Sequence, residues 1–158
     1  MGESSFQQQF LQPSAALVND ISKIEGDILI IGAGGKIGPS IARLTRKALD
    51  LASKSNRVIG VSRFSEEGLA AQLNAEGIET IVADILDDAQ LQALPDAANV
   101  LYLAGTKFGT KDNQPYTWAM NSYLPGRVAE KYKNANIVVY STGNVYPYTP
   151  VGSGGASE

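Results

Sequence analysis

The densest candidate chemistry in the chain is "GAGGKIG", Gly32 to Gly38. Gly32, Gly35 and Gly38 fit G-x-x-G-x-x-G, and Gly32 with Gly34 also fits the opening of G-x-G-x-x-G. Both spacings suit a dinucleotide. The first glycine turns a strand sharply, the middle ones let backbone N–H groups approach a pyrophosphate, and the last lets helix and sheet pack closely. A helix opening at this point aims its unpaired N–H groups and positive dipole end at phosphate. Lys36 and Ile37 lie within the same loop, and Pro39 suits a first helical turn, where its missing N–H costs nothing. A glycine cluster can also serve only to turn the chain. Here it follows "ILII" and precedes a helical pattern, a context that favours dinucleotide binding.

Composition narrows the remaining chemistry. The chain has no cysteine and no histidine, which removes disulfides, thiolate nucleophiles, Ser-His-Asp triads and the commonest zinc ligands. Acid–base work is left to Tyr, Lys, Ser/Thr and carboxylates. A net charge of −3, without runs of like charge, argues against nucleic acid and anionic membranes as partners. The N-terminal residues are too polar for a signal peptide, and no apolar run approaches the roughly 18 residues that span a bilayer. The default address is cytoplasmic. A length of 158 residues with 44% hydrophobic content predicts one globular unit with its own core.

The elements that must position the glycines follow from periodicity. Leu17, Val18, Ile21 and Ile24 fall at helical spacing, so an amphipathic helix is expected at 13–23, behind a loose arm around Gln7 to Gln9. From Asp27, strands are expected at 27–32, 57–62, 78–84, 99–105 and 136–142. Helices are expected between them at 37–52, 65–76, 87–93 and 116–133. Apolar runs without alternation predict strands covered on both faces, and alternation of strand with helix predicts right-handed crossovers. The expected fold is therefore α/β, a doubly wound parallel sheet of Rossmann type in the order 3-2-1-4-5. The domain reading is an N-terminal arm and helix at 1–26, the nucleotide-binding domain at 27–146 and a tail at 147–158, where the chain is expected to be cut short after strand five.

The end of strand two bears on which dinucleotide. An acidic residue there would take the ribose hydroxyls of NAD, but the chain has Ser62 and Arg63. Arginine can pair with a 2′-phosphate, so the sequence leans toward NADP over NAD, although Glu66 or Glu67 could swing in. Asp84 and Ile85 could present a carboxylate and an aliphatic wall to adenine, or Asp84 could simply cap the next helix. Ala104 and Gly105 after strand four would let backbone lie along a cofactor, or merely make a tight turn. Lys107, in the loop beyond, could meet phosphate or substrate or only solvent. Tyr116 and Trp118 are expected to pack on the domain.

Taken in order, these residues resemble the extended short-chain dehydrogenase/reductase family, the epimerases and dehydratases acting mostly on nucleotide sugars. The resemblance rests on Gly32-x-x-Gly35-x-x-Gly38, Asp84-Ile85, Ala104-Gly105, Asn121 and "VVYSTGNVYP", and spans residues 27 to 158. It implies that Thr142, with Ser141 before it, supplies the hydroxyl that meets the substrate oxygen gaining or losing hydride, and that Asn121 helps arrange the site. Side-chain to backbone bonds that merely end the strand are the alternative role for both hydroxyls. Tyr146 is read as a packing residue. Two departures bear on activity. Gly143 and Asn144 stand where the family's dehydratases carry Asp-Glu, which disfavours dehydration. The family's Tyr-x-x-x-Lys, a general base and the lysine that lowers its pKa, would fall about 25 residues beyond Thr142, past Glu158.

The expected function is thus the NAD(P)-binding part of an epimerase- or reductase-like enzyme for a sugar-like substrate, inactive as this chain alone. The alternative is a non-catalytic module that senses cofactor occupancy; a Rossmann-like domain without ligand is a third reading. An uncovered edge after strand five further predicts self-association into a possible homo-oligomer.

Overall fold

The computed structural model describes residues 11–106, 112–142 and 146–156. Its elements, in chain order, are α1 (Ala15–Ile21), β1 (Ile28–Ile31), α2 (Gly38–Leu51), β2 (Val58–Ser62), α3 (Leu69–Ala75), β3 (Glu79–Val82), α4 (Asp88–Ala93) and β4 (Asn99–Tyr102). There follow α5 (Gln114–Trp118), a π-helical turn (Ala119–Tyr123), α6 (Leu124–Lys131) and β5 (Asn136–Val139). The five strands form one sheet in the order β3-β2-β1-β4-β5, and every neighbouring pair is parallel. This is the doubly wound arrangement that the alternation of apolar runs and helical stretches predicts.

The central strand shows why its run lacks alternation. Successive side chains point to opposite faces, and both faces are covered. Leu29 and Ile31 enter a core layer with Val100, Leu124 and Val128 beneath α6, while Ile28 and Ile30 enter a second layer with Ala42, Leu49 and Leu73 beneath α2 and α3. All four β1 residues are buried. Coverage fails at the edges: Val82 on β3 and Val138 and Val139 on β5 are exposed, against the expectation that every strand is sandwiched.

Strands are shorter at their carboxyl ends than the sequence suggests, because the backbones splay after one further hydrogen bond each. Leu103 N–H donates to Ile31 O (2.8 Å), Ala83 N–H to Ser62 O (3.0 Å) and Tyr140 N–H to Tyr102 O (2.9 Å). Residues 83–84, 103–105 and 140–142 therefore run on as loops. Helix α3 also starts late. Gly68 stands at φ 78°, a left-handed conformation outside the helix, immediately before Leu69.

The single helix expected at 116–133 is broken in the middle. Pro125 lacks an N–H, and its ring crowds the carbonyl four residues back, that of Asn121. The helix widens before it, so that Leu124 N–H reaches Ala119 O, five residues back. Trp118 and Tyr123 on this segment are 69% and 62% exposed, so Trp118 does not pack on the domain as expected. Tyr146 is 43% exposed.

At the amino ends of the strands, ion pairs and amides tie the sheet together. Arg57 bonds Asp27 through Nε and Nη2 (2.9 and 2.7 Å) and reaches Glu79 (3.3 Å), linking the starts of β1, β2 and β3. Asn99 donates to Glu25 O (2.8 Å), and Asn136 donates to Asn99 Oδ1 (3.1 Å). No helix among the described residues is long and apolar enough to cross a membrane.

Candidate functional site

The glycine loop leaves β1 with two successive N–H groups, Gly32 and Ala33, both donating to Val61 O (2.8 and 3.1 Å). Gly32 has φ 93°, and a Cβ there would stand 2.8 Å from Ala104 N, so the turn leans directly on the exit of β4. A Cβ on Gly38 would stand 2.5 Å from the carbonyl oxygens of Gly32 and Ala33, which fits its reading as the close-packing glycine under α2. Gly34 lies against Ser62, where a Cβ would come 2.7 Å from Oγ. Gly35 is the most open of the four, its Cβ position meeting only Gly32 O at 3.2 Å. Helix α2 begins with no side-chain cap at Ile37 and with proline in its first turn. Its leading N–H groups thus have no side-chain acceptor, as an anion site at this end requires.

Two clefts run along the carboxyl edge of the sheet. The smaller, about 230 Å³, is lined by Gly32, Gly34, Gly35, Ser62, Arg63, Asp84, Ile85, Ala104 and Gly105, with Ser65, Tyr116 and Met120. The larger, about 590 Å³, is lined by Tyr102, Thr106, Thr117, Asn121, Pro125, Tyr140, Ser141 and Thr142 among others. Leu103, Ala104 and Gly105 line both. The crevice thus passes over the junction of β1 and β4, where crossovers turn to opposite sides and such sheets take up ligands. Eight of the residues read as cofactor-binding stand around the smaller cleft, and Asn121, Ser141 and Thr142 stand around the larger. Lys36, Ile37 and Gly38 line neither. Lys36 and Ile37 are exposed and Gly38 is buried under α2.

Individual side chains have distinct attachments. Arg63 is exposed and, alone of the five arginines, forms no hydrogen bond or ion pair among the described residues. Asp84 does not cap α4. Asp87 does, accepting from Gln90 N–H (2.9 Å), while Asp84 Oδ1 accepts from Leu86 N–H (3.1 Å) in a local turn. Asn121 pairs with the backbone of Thr106 in both directions: its Oδ1 accepts from the N–H and its Nδ2 donates to the carbonyl, each at 2.8 Å. The π turn therefore holds the β4 exit loop through one amide. Ser141 and Thr142 follow β5 and are exposed. Lys107, Gly143, Asn144 and the Val145 of "STGNVYP" lie outside the described residues, as do Gln7 to Gln9.

Tyr102 was not legible as a site residue, because in sequence it is simply the last residue of a strand. Its side chain is 3% exposed, and burial pushes its phenol up to about 12. It lines the larger cleft as a neutral group and cannot serve as a general base near pH 7. Thr117 and Met120 carry no site signal in the sequence, because helical periodicity marks them only as surface or core, and Tyr116, expected to pack on the domain, lines the smaller cleft. No group of residues able to hold a metal ion occurs among the described residues.

No family model matches the chain, and no curated protein matches it by sequence. Solved structures do. The ADP-L-glycero-D-manno-heptose-6-epimerase of Helicobacter pylori aligns with a TM-score of 0.65 at 22% identity, over 90% of this chain and 48% of its own. The Bordetella bronchiseptica enzyme WbmF, solved with NAD+ and UDP, aligns at 0.60 and 19% identity, over 85% and 42%. The UDP-glucuronic acid 4-epimerase of Bacillus cereus, solved with NAD, aligns at 0.57 and 24%, over 78% and 42%. Likeness at these identities shows a shared fold, and this chain has the Rossmann-type fold of those proteins. It spans less than half the length of each.

Proposed function

We propose that the chain is the nicotinamide-dinucleotide-binding part of an extended short-chain dehydrogenase/reductase, working by hydride transfer on a sugar or nucleotide sugar. The observation that carries this reading is the continuous crevice at the β1/β4 junction, with a glycine cradle at one end and paired hydroxyls at the other. The residues fit such a cofactor: Gly34 and Gly35 leave room along the loop, α2 offers uncapped N–H groups, and Ala104 and Gly105 keep the middle of the crevice narrow-walled. When bound, the nicotinamide would accept or return hydride. Arg63, free of partners, would pair with a 2′-phosphate, and Ser62 in place of an acid removes the repulsion NADP would meet there. Ser141 and Thr142 would hydrogen-bond the substrate oxygen, and Asn121 would keep the Thr106 backbone in place beside them. All three similar structures involve a nucleoside diphosphate, as the UDP bound to WbmF or in the names of the two epimerases, which supports a sugar-nucleotide substrate class.

Calorimetric titration with NADPH and NADH tests the leading reading. Gly35→Asp is the informative variant, since a side chain there meets little protein and projects a charge at the cradle. Wild type is expected to bind, and the variant to show no heat. Arg63→Ala is expected to weaken NADPH about tenfold with NADH unchanged, the size of one charge-assisted contact. Wild type without binding at millimolar cofactor overturns the proposal.

A further inference from the structure

Two non-glycine residues have positive φ, Ser53 and Phe64. Ser53 has an ordinary reason. It follows α2, where its own N–H bonds Asp50 O and the next N–H, that of Lys54, bonds Leu49 O, the left-handed turn that commonly stops a helix. Phe64, at φ 45°, stops no helix, and a bulky aromatic in that region is a genuine outlier of the kind that gathers at ligand sites. It directly follows Arg63.

The surroundings of the ring explain how the conformation persists. A Cβ on Gly34 would stand 3.3 Å from Phe64 Cδ1, and one on Gly60 would stand 3.9 Å from Cζ. The ring therefore lies against the glycine loop on one side and the middle of β2 on the other, partly buried beside the core layer that holds Ala33 and Ile30. Ala33 itself fits only because residue 60 is glycine, whose Cβ position is 2.9 Å from the Ala33 Cβ. An extended backbone at residue 64 would carry the chain onward along β2 and lift the ring from Gly34. With the ring anchored, the chain leaves β2 at Arg63, whose side chain stands on the cleft rim beside Ser62 and Gly34.

We infer that Phe64 is a positioning residue that, braced against the glycine loop, holds Arg63 at the cleft rim and so sets the choice of cofactor. This rests on the reading of Arg63 as the contact to a 2′-phosphate. The anchor acts through the arginine, so its loss is selective: NADPH binding falls and NADH binding does not.

The test is the ratio of NADPH to NADH affinity, by titration of the wild type, Arg63→Ala, Phe64→Asn and Phe64→Leu, with a thermal melt of each. Asparagine tolerates the left-handed backbone but lacks the ring. Phe64→Asn is expected to lower the ratio about tenfold, toward that of Arg63→Ala, and to leave NADH affinity within about twofold. Phe64→Leu, which keeps an apolar anchor, is expected to restore most of the preference. If Phe64→Asn does not melt cooperatively, Phe64→Gly, which also accepts the left-handed backbone and lacks the ring, decides the matter by the same ratio, a fall supporting the inference and an unchanged ratio overturning it. A Phe64→Asn protein with the wild-type ratio, or with equal losses for both cofactors, overturns the inference and leaves the Arg63 reading standing. A wild type without an Arg63-dependent preference overturns both.

Discussion

Asn121 shows how one side chain in the wall of a cleft can also hold the loop beside it. Its amide replaces a strand neighbour for Thr106, supplying donor and acceptor at 2.8 Å to a backbone that has left the sheet. Two net hydrogen bonds of this kind contribute about 1–2 kcal/mol. Asn121→Ala is therefore expected to lower stability by that amount in a chemical denaturation curve, and to weaken NADH and NADPH alike, since the loop it holds borders both clefts. Asn121 was readable from sequence only through a family resemblance, because an asparagine within a helical pattern carries no signal of its own. Arg63 was readable from position, as the residue just past a strand facing a glycine loop. Its lack of partners was not, since that depends on where five arginines and sixteen carboxylates come to lie.

At the scale of elements, both edge strands are incompletely covered, and β5 is the less guarded of the two. Asn136 and Tyr140 spend their N–H groups on β4, so the alternate groups, on Ile137 and Val139, face the open edge. No charged residue occurs from Asn134 to Ser157, so this edge lacks the lysines and inward charges that commonly discourage pairing. The opposite edge differs, for Glu79 on β3 is engaged by Arg57. Concentration-dependent self-association is expected by light scattering, and Val139→Lys is expected to reduce it without changing the melt. A wild type that stays monomeric at high concentration, or a Val139→Lys protein that associates equally, would sink this expectation. The broken helix beside β5 belongs to the same scale. Pro125 was visible in the sequence, but a helical period alone does not say whether proline kinks, ends or widens a helix.

Across the whole molecule, the two ends of the sheet are built for different purposes. The amino ends are closed by reciprocal contacts, Asp27 with Arg57 foremost, and the carboxyl ends are left open as the crevice. The Arg57 hydrogen bond holds the Asp27 carboxyl below its ordinary 3.8, against a smaller opposing effect of burial. A depressed carboxylate contributes stability that is fully present above its unfolded pKa and is lost as pH falls through the folded value. The pair is thus intact near neutrality, and its contribution begins to fall only as pH drops below the ordinary carboxylate range. Asp27→Asn is expected to lower the melting temperature at pH 7 and to flatten the fall of stability on acidification below pH 4. An acid limb identical to that of the wild type would show that other carboxylates govern it.

The sequence by itself determined the class of fold and the order of its strands, because buried parallel strands and amphipathic helices write their own periods and the crossover between them has one hand. It also located the glycine cradle, whose spacing is local. What only the tertiary structure decided were relations between segments distant along the chain: that the cradle and the Ser141-Thr142 hydroxyls share one crevice, that Asn121 clasps Thr106, that Asp87 and not Asp84 caps α4, and that Phe64 wedges against Gly34 and Gly60. Local pattern sets each segment's own conformation. Packing sets which atoms of two segments meet, and that depends on side-chain volumes from the whole core at once.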